Sequence, residues 1–215
     1  MQNNQQKLRK ISYIRDTSTK SDGCYTFKQG QSCVIAGVHA PRDCPKYKQN
    51  PERSIIEVQV YERCEDEKNR RTELEEFIRS AVNWTVYTEK YPNAMINICT
   101  QIVKDDGSIE SVATNATTYA LLQSGVDMKG IVIGMCVIGI EKNNQIEIIV
   151  DPEDVENYKW KLFTIWDTKL KSIVAMKMNG KCNDNELQMS LKISMEFALK
   201  MVNGIKTVIE KQYSH

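Results

Sequence analysis

The sequence has few residues of the kinds that hold small domains together covalently or through a metal ion. Seven cysteines are scattered along the 215 residues, no two of them in a C-x-x-C pair, and there are only two histidines. An odd, scattered set of cysteines suits neither a disulfide framework nor a zinc site. We therefore expect reduced thiols, no bound metal, and a protein of the cytosol or nucleus.

Long apolar segments and net charge are also scarce. The longest apolar run, residues 130–140, is well short of the roughly 20 residues that a membrane-spanning helix needs, and it predicts a buried strand. The polar N-terminus has no apolar segment typical of a signal peptide. Lysine and arginine number 29 against 28 acidic residues. A nucleic-acid binder that acts alone usually has a basic excess, so any contact with RNA here would use a local patch or be shared with partners.

What the chain does have is the composition of a soluble globular domain, with 41% hydrophobic and 27% charged residues. Residues 1–20 are polar and irregular and predict a partly ordered N-terminal arm, whereas residues 21–213 predict a single domain. Apolar periodicity in that domain predicts the element order β-β-β-α-β-α-β-β-β-β-α. This order indicates an α/β (α+β) fold of mixed sheets packed with helices, with loosely duplicated β-α-β units.

Three helices are predicted from capping signals and spacing. Thr72 and Glu75 have the spacing of a capping box at the start of the first helix. The second helix, over residues 110–123, is rich in small residues, so it can lie very close to a sheet. The third begins near Asn183 and runs to about Tyr213 without an internal proline.

Several short strings, in a fixed order, carry a family resemblance. They are Asp22-Gly23 before a predicted hairpin, residues 34–41, residues 105–109 before the small-residue helix, residues 134–139 and residues 150–152. With this spacing the sequence resembles the RNase PH family over about residues 20 to 212. Residues 184–188 narrow the resemblance to subunits of the exosome ring. The resemblance implies an RNase PH-like fold for the whole domain.

The resemblance also implies a chemistry against which this chain can be compared. Active members of the family degrade RNA from the 3′ end by phosphorolysis, in which inorganic phosphate attacks the last phosphodiester. Backbone N–H groups at a helix N-terminus cradle the anion, and an arginine grips it with its planar fork. The corresponding segment here is Asp106-Gly107-Ser108, which fits either such a cradle or a plain turn before a helix, but Ile109 stands where the phosphate arginine is expected. An isoleucine cannot hydrogen-bond phosphate.

A second departure follows Asp151. Active members carry acidic side chains that support proton transfer or a metal ion. Counting on from Asp151, the corresponding positions here are Lys159 and Lys161. A small shift of register would instead bring in the nearby acids Glu153, Asp154 and Glu156. The resemblance therefore implies a degenerate site near Gly107, Ser108, Ile109, Lys159 and Lys161, with no catalytic residue and no cofactor.

The partners implied by the resemblance are other RNase PH-like exosome ring subunits, RNA-binding cap subunits and a single strand of RNA in the central channel. Such proteins act in the nucleus, nucleolus and cytoplasm. A ring subunit needs a few cations that contact phosphates without reading sequence. The predicted RNA contacts are Arg42, Lys46, Lys48 and Arg53 around the loop after the second predicted strand, with Arg63, Arg70, Arg71 and Arg79 before and on the first helix. Trp84 and Tyr87 are predicted to pack rather than to stack on bases.

Two other classes of function stay open on the sequence. One is an active phosphorolytic or hydrolytic 3′–5′ exoribonuclease, acting as a homo-oligomer, for which the pure chain would release nucleotides. The other is a nucleic-acid-binding homodimer with nuclease activity outside the exosome, for which the chain would self-associate and bind nucleic acid without ring partners. The near-neutral net charge argues mildly against the second class.

Overall fold

The computed structural model describes residues 7–15, 20–62, 68–142, 145–155 and 157–213. Within these residues the chain forms nine strands, three α-helices and one short 3-10 turn at Thr88–Lys90. The elements, in chain order, are β1 (Ile11–Arg15), β2 (Gly23–Gln29), β3 (Ser32–Asp43), β4 (Ile55–Tyr61), α1 (Lys68–Thr85), β5 (Ala94–Lys104), α2 (Ile109–Ser124), β6 (Val132–Lys142), β7 (Gln145–Val150), β8 (Trp160–Asp167), β9 (Ser172–Gly180) and α3 (Asp184–Tyr213).

The strands form two sheets. The first has the order β1-β2-β3-β5-β4, and the second has the order β7-β6-β8-β9. Neighbouring strands are antiparallel except β4 and β5, which are parallel. A parallel pair needs a long crossover connection, and α1 supplies it. The mixed sheets are thus confirmed, and the predicted element order matches the structure from β2 onward but lacks β1.

Helix α2 lies between the two sheets, and α3 covers the other face of the second sheet. Strand β8 shows why both faces must be covered. Phe163 and Ile165 point into a small apolar cluster that includes α1 residues, whereas Trp160 and Trp166 hydrogen-bond to side chains of α3. Alternate side chains point to opposite faces of a strand, so both faces of β8 are covered.

Small residues let α2 approach the second sheet closely, as predicted. A Cβ added to Gly134 on β6 would lie 3.0 Å from Thr114 Cβ and 3.1 Å from Ser111 Cα. The Asn115 side chain uses this proximity: its Nδ2 donates to Gly134 O at 3.1 Å, and its Oδ1 accepts from Gly134 N at 2.9 Å. A buried amide that satisfies both backbone groups of one residue fixes the helix against the strand.

The segment predicted to be an irregular arm contains a strand. Ile11–Arg15 pairs with β2 at the edge of the first sheet. Tyr13 and Ile14 are both exposed, so this short edge strand lacks the alternation of apolar and polar residues that marks a half-buried strand. The segment was for that reason not predicted to be a strand.

Of the two predicted helix starts, one is wrong and one is confirmed. Helix α1 begins at Lys68, so Thr72 lies inside it and its hydroxyl donates to Lys68 O at 3.0 Å. The Glu75 carboxylate accepts from the Val60 N–H of β4 at 2.9 Å instead of capping the helix. At α3, by contrast, the Glu186 carboxylate accepts from the Asn183 N–H at 3.4 Å.

No helix in the described part of the chain is both long enough and apolar enough to cross a bilayer. The six described cysteines are all free thiols, and Cys64 lies outside the described residues.

Candidate functional site

The region that the sequence identified as a degenerate site lies where two loops meet at the N-terminus of α2. Gly107 has a φ of +87° and Ser108 a φ of +55°, and this left-handed turn leads directly into the helix. A Cβ on Gly107 would lie 2.5 Å from the Glu153 carbonyl carbon. Only glycine permits so close an approach. The turn before α2 and the segment after Asp151 therefore form one continuous surface.

Arg9 joins the same two loops. Its Nη2 and Nε donate to the two oxygens of the Asp151 carboxylate at 2.7 and 3.0 Å. Its Nη1 donates to Asp106 O at 2.8 Å and to Asp106 Oδ2 at 3.2 Å. Burial alone lowers the pKa of Arg9, but the hydrogen bond and charge of Asp151 raise the pKa overall. No motif or spacing in the sequence indicates this role, because Arg9 lies in the segment predicted to be an arm.

Two serine hydroxyl groups also hold the turn before α2 by hydrogen bonds. The Ser32 hydroxyl accepts from Asp106 N–H at 3.0 Å and donates to Gly107 O at 2.9 Å. The Ser108 hydroxyl donates to Pro152 O at 2.9 Å. The turn is therefore held by its own side chains and neighbours.

Ile109 does not face the surface that these loops form. Its side chain is only 2% exposed and belongs to the main apolar core. The position at which active relatives of the family are expected to carry a phosphate arginine is thus filled by a core residue. The next residue, Glu110, is half-buried and points to Lys161.

Both lysines that replace the expected acids are paired with glutamates of this chain. Lys161 Nζ lies 3.2 Å from Glu110 Oε2, and Lys159 Nζ lies 3.4 Å from Glu186 Oε1. Burial alone lowers the pKa of Lys161, but the charged groups around it, Glu110 among them, raise the pKa overall. Ammonium groups cannot ligate a metal ion, so these positions do not fit the metal that an acidic site could hold.

Among the described residues, Glu153 and Asp154 form no ion pair, although the negative charge of Glu153 contributes to the raised pKa of Arg9. Glu153 and Asp154 are exposed beside Gly107, and Glu156 lies outside the described residues.

Cys136, which lies near Lys161 and Glu110, is fully buried, and this burial raises the pKa of its thiol to about 12. The thiol is therefore protonated at neutral pH and is no nucleophile.

The first predicted set of RNA contacts lies around the loop between β3 and β4. Arg42 is exposed and its Nη2 lies 3.1 Å from His39 Nδ1. Lys46 is exposed, whereas Lys48 forms an ion pair with Glu57 on β4. Arg53 is exposed at the edge of a polar cleft of about 770 Å³ between this loop and the end of α1.

The second predicted set lies at the start of α1. Arg70 pairs with Asp105 and, at 3.9 Å, with Glu62. Arg71 and Arg79 are half-exposed and have no ion-pair partner among the residues that the structure describes. Arg63 lies outside the described residues.

Arg70 and the β3–β4 loop lie at opposite ends of the first sheet, whereas Arg79 lies on α1 one turn before Asn83, which lines the same cleft as Arg53. Strand β5 begins beside the β3–β4 loop, because Asp43 pairs with Ala94, and it ends at Lys104, next to Asp105, the partner of Arg70. Its 11 residues, at about 3.3 Å each, span roughly 36 Å. The structure thus brings Arg70 close to the degenerate site and separates the β3–β4 loop from it.

The two aromatic residues predicted to pack both make specific contacts. Trp84 is exposed over part of its ring, but its Nε1 donates to Asp167 Oδ2 at 2.8 Å. Tyr87 is half-buried between the ammonium groups of Lys90 and Lys129, which lie 4.8 and 5.3 Å from the ring centroid. These contacts hold both rings in place at the end of α1.

Comparisons with known proteins agree with this geometry. Residues 7–127 match the RNase PH model, described as the 3′ exoribonuclease family, domain 1. The RRP46 homologue of Caenorhabditis elegans, an exosome complex component, is 24% identical over 95% of this chain and 93% of its own. The exosome component Rrp41 of Archaeoglobus fulgidus is 24% identical over 96% of this chain and 84% of its own.

A solved structure has the same fold. The crystal structure of rice Rrp46 covers 97% of this chain and 98% of its own, with a TM-score of 0.88 at 20% identity. The two sheets, the buried α2 and the three helices are therefore those of an RNase PH fold, as predicted. Because the family model matches more than half of the 215 residues, the chain belongs to the RNase PH family of 3′ exoribonucleases.

Proposed function

We propose that this protein is a non-catalytic subunit of an exosome core ring, which supports 3′–5′ RNA processing and degradation by assembling the ring and guiding RNA through it. Its partners are other RNase PH-like ring subunits, RNA-binding cap subunits and single-stranded RNA. The relatives from worm and archaea are components of exosome complexes. Their alignments span nearly all of this chain, which supports the same kind of assembly here.

The observation that carries the non-catalytic part of the proposal is the state of the site at α2. Ile109 is apolar and buried in the core, so it offers no hydrogen-bond donor or charge to phosphate. Lys161 and Lys159 are each paired with a glutamate, so they supply neither a general acid–base carboxylate nor a metal ligand. Phosphorolysis depends on positioned groups that stabilise charge on the phosphate, and these positions no longer provide them.

Ring assembly is tested by co-purification. We expect the tagged chain, recovered from native extract, to bring down the other ring subunits in equal amounts. Recovery of the chain alone, as a monomer or as a homodimer by light scattering, would contradict the proposal and favour the nucleic-acid-binding homodimer.

RNA guidance is tested at the β3–β4 loop of a reconstituted ring. We expect the double variant Lys46→Glu, Lys48→Glu to assemble normally but to bind single-stranded RNA more weakly. Each lost phosphate contact lowers the slope of log affinity against log salt by about 0.7 for a single strand. Lys48 already pairs with Glu57, so most of the change should come from Lys46.

The matched control is the double variant Lys192→Glu, Lys206→Glu, which changes the same number of exposed charges on α3. It should leave the salt slope unchanged. An unchanged slope in the loop variant would refute an RNA contact at this loop, and a ring that fails to assemble would show that the loop is an interface.

A further inference from the structure

The tip of the β3–β4 loop carries an aromatic side chain that the fold does not use. Tyr47 is 83% exposed, the highest value among the large apolar side chains of the described residues. Burying apolar surface is the dominant favourable contribution to folding, and Tyr47 buries almost none. A large aromatic side chain that is exposed in this way does not contribute to packing, so its presence points to a contact with another molecule.

The loop itself is well held although its tip is exposed. Lys48 N–H donates to Pro45 O at 2.8 Å and closes a turn around Tyr47. Gln49 Nε2 donates to Cys44 O at 2.8 Å, and Cys44 is buried. The ring of Tyr47 is therefore presented on a fixed turn rather than on a loose segment, which lowers the entropy that binding must remove.

The neighbours of Tyr47 are polar. Lys46 and Lys48 flank it in sequence, and Lys48 Nζ lies 5.8 Å from the ring centroid. The other exposed large apolar side chains lie outside this loop. A protein interface is normally centred on a cluster of apolar side chains, whereas a single ring beside cations matches the way proteins hold single-stranded nucleic acid, by stacking on bases and contacting phosphates.

We propose that Tyr47 stacks on one base of single-stranded RNA while Lys46 contacts a neighbouring phosphate. The inference rests on the proposed RNA-guiding function and adds a contact that recognises bases without reading their sequence. Lys46 carries the phosphate contact because the charge of Lys48 is shared with Glu57.

The test compares variants in the reconstituted ring. Binding is measured by fluorescence anisotropy with labelled oligouridine and with an abasic oligonucleotide of the same length, over a range of salt. We expect Tyr47→Ala to weaken oligouridine binding roughly 10-fold, within the range known for a stacked base, with the salt slope unchanged. Tyr47→Phe, which keeps a ring, should bind like the parent, and the abasic strand should not distinguish Tyr47→Ala from the parent.

Tyr61→Ala is the matched control, because Tyr61 is an exposed tyrosine at the opposite end of the first sheet. Wild-type affinity in Tyr47→Ala, together with a weakened Lys46→Glu ring, would overturn the stacking contact and leave the RNA-guiding function standing. If neither Tyr47→Ala nor Lys46→Glu weakened RNA binding, both the stacking contact and the RNA-guiding function of this loop would be refuted. Equal losses on the abasic strand, or a ring that no longer assembles while the variant chain folds normally, would also overturn the inference.

Discussion

Replacing Arg9 with alanine should destabilise the protein by about 3 kcal/mol, the lower end of the range for breaking a buried ion pair. The reason is the carboxylate left behind. The Asp151 side chain is 1% exposed and that of Arg9 is 11% exposed. Without Arg9, the Asp151 carboxylate would still be shielded from water but would have lost the cation that compensates for this shielding. Asp106 adds less, because its side chain is 28% exposed and water can replace the guanidinium there.

Urea unfolding followed by circular dichroism measures this loss. If the free energy of unfolding falls by about 2 kcal/mol for each M of urea, the midpoint of the unfolding transition should fall by about 1.5 M. Lys10→Ala is the matched control, since Lys10 is the exposed neighbour and its truncation should change stability by less than about 0.5 kcal/mol. An Arg9→Ala midpoint equal to that of Lys10→Ala would refute the idea that Arg9 holds the two loops together.

Three further outcomes follow from the structure. Ile109→Arg should not restore phosphorolysis, because the new guanidinium would be buried, and it should lower the free energy of unfolding by more than about 4 kcal/mol in urea titrations; a stable, active variant would refute the core position of Ile109. Cys136, with a pKa of about 12, should react with iodoacetamide at pH 8 far more slowly in the folded than in the urea-unfolded chain, and equal rates by peptide mass spectrometry would contradict its burial. Burial raises the pKa of Glu186, but hydrogen bonds from Asn183 and Trp160 lower the pKa overall. The Glu186 carboxylate therefore stabilises the folded state above the ordinary carboxyl pKa, and this contribution is lost as pH falls through the lowered value. Glu186→Gln should therefore flatten the stability profile below about pH 5, and an unchanged profile would argue against these bonds.

Most of the fold could be predicted because its elements are marked by apolar periodicity. The apolar run of residues 130–140 overlaps β6, whose residues 132–139 are all buried, and the small residues of α2 pack closely on Gly134. The exceptions have local physical causes. Strand β1 is a short exposed edge, and Thr72 and Glu75 match a capping box by spacing while their oxygens contact other partners. Spacing cannot distinguish a helix start from a helix interior when both carry polar residues.

The candidate site was predictable only in part. Of the residues to which the resemblance pointed, Ile109 begins α2 and Lys161 pairs with Glu110 of the same helix, whereas Lys159 pairs with Glu186 at the start of α3. The residues that fix the turn before α2 come from distant segments. Arg9 reaches Asp151 across 142 residues, and Lys161 reaches Glu110 across 51. Ion pairs between distant segments leave no spacing signal, since any cation could pair with any acid until the fold selects one.

The most direct test of the central claim is an assay of the purified full-length chain for nucleoside diphosphate release from 3′-labelled single-stranded RNA, with and without inorganic phosphate. The variant Lys161→Ala, which removes the lysine nearest the turn, separates the chain's own activity from that of a contaminant. We predict no phosphate-dependent release from either protein. Release that depends on phosphate and is lost in Lys161→Ala would contradict a non-catalytic subunit.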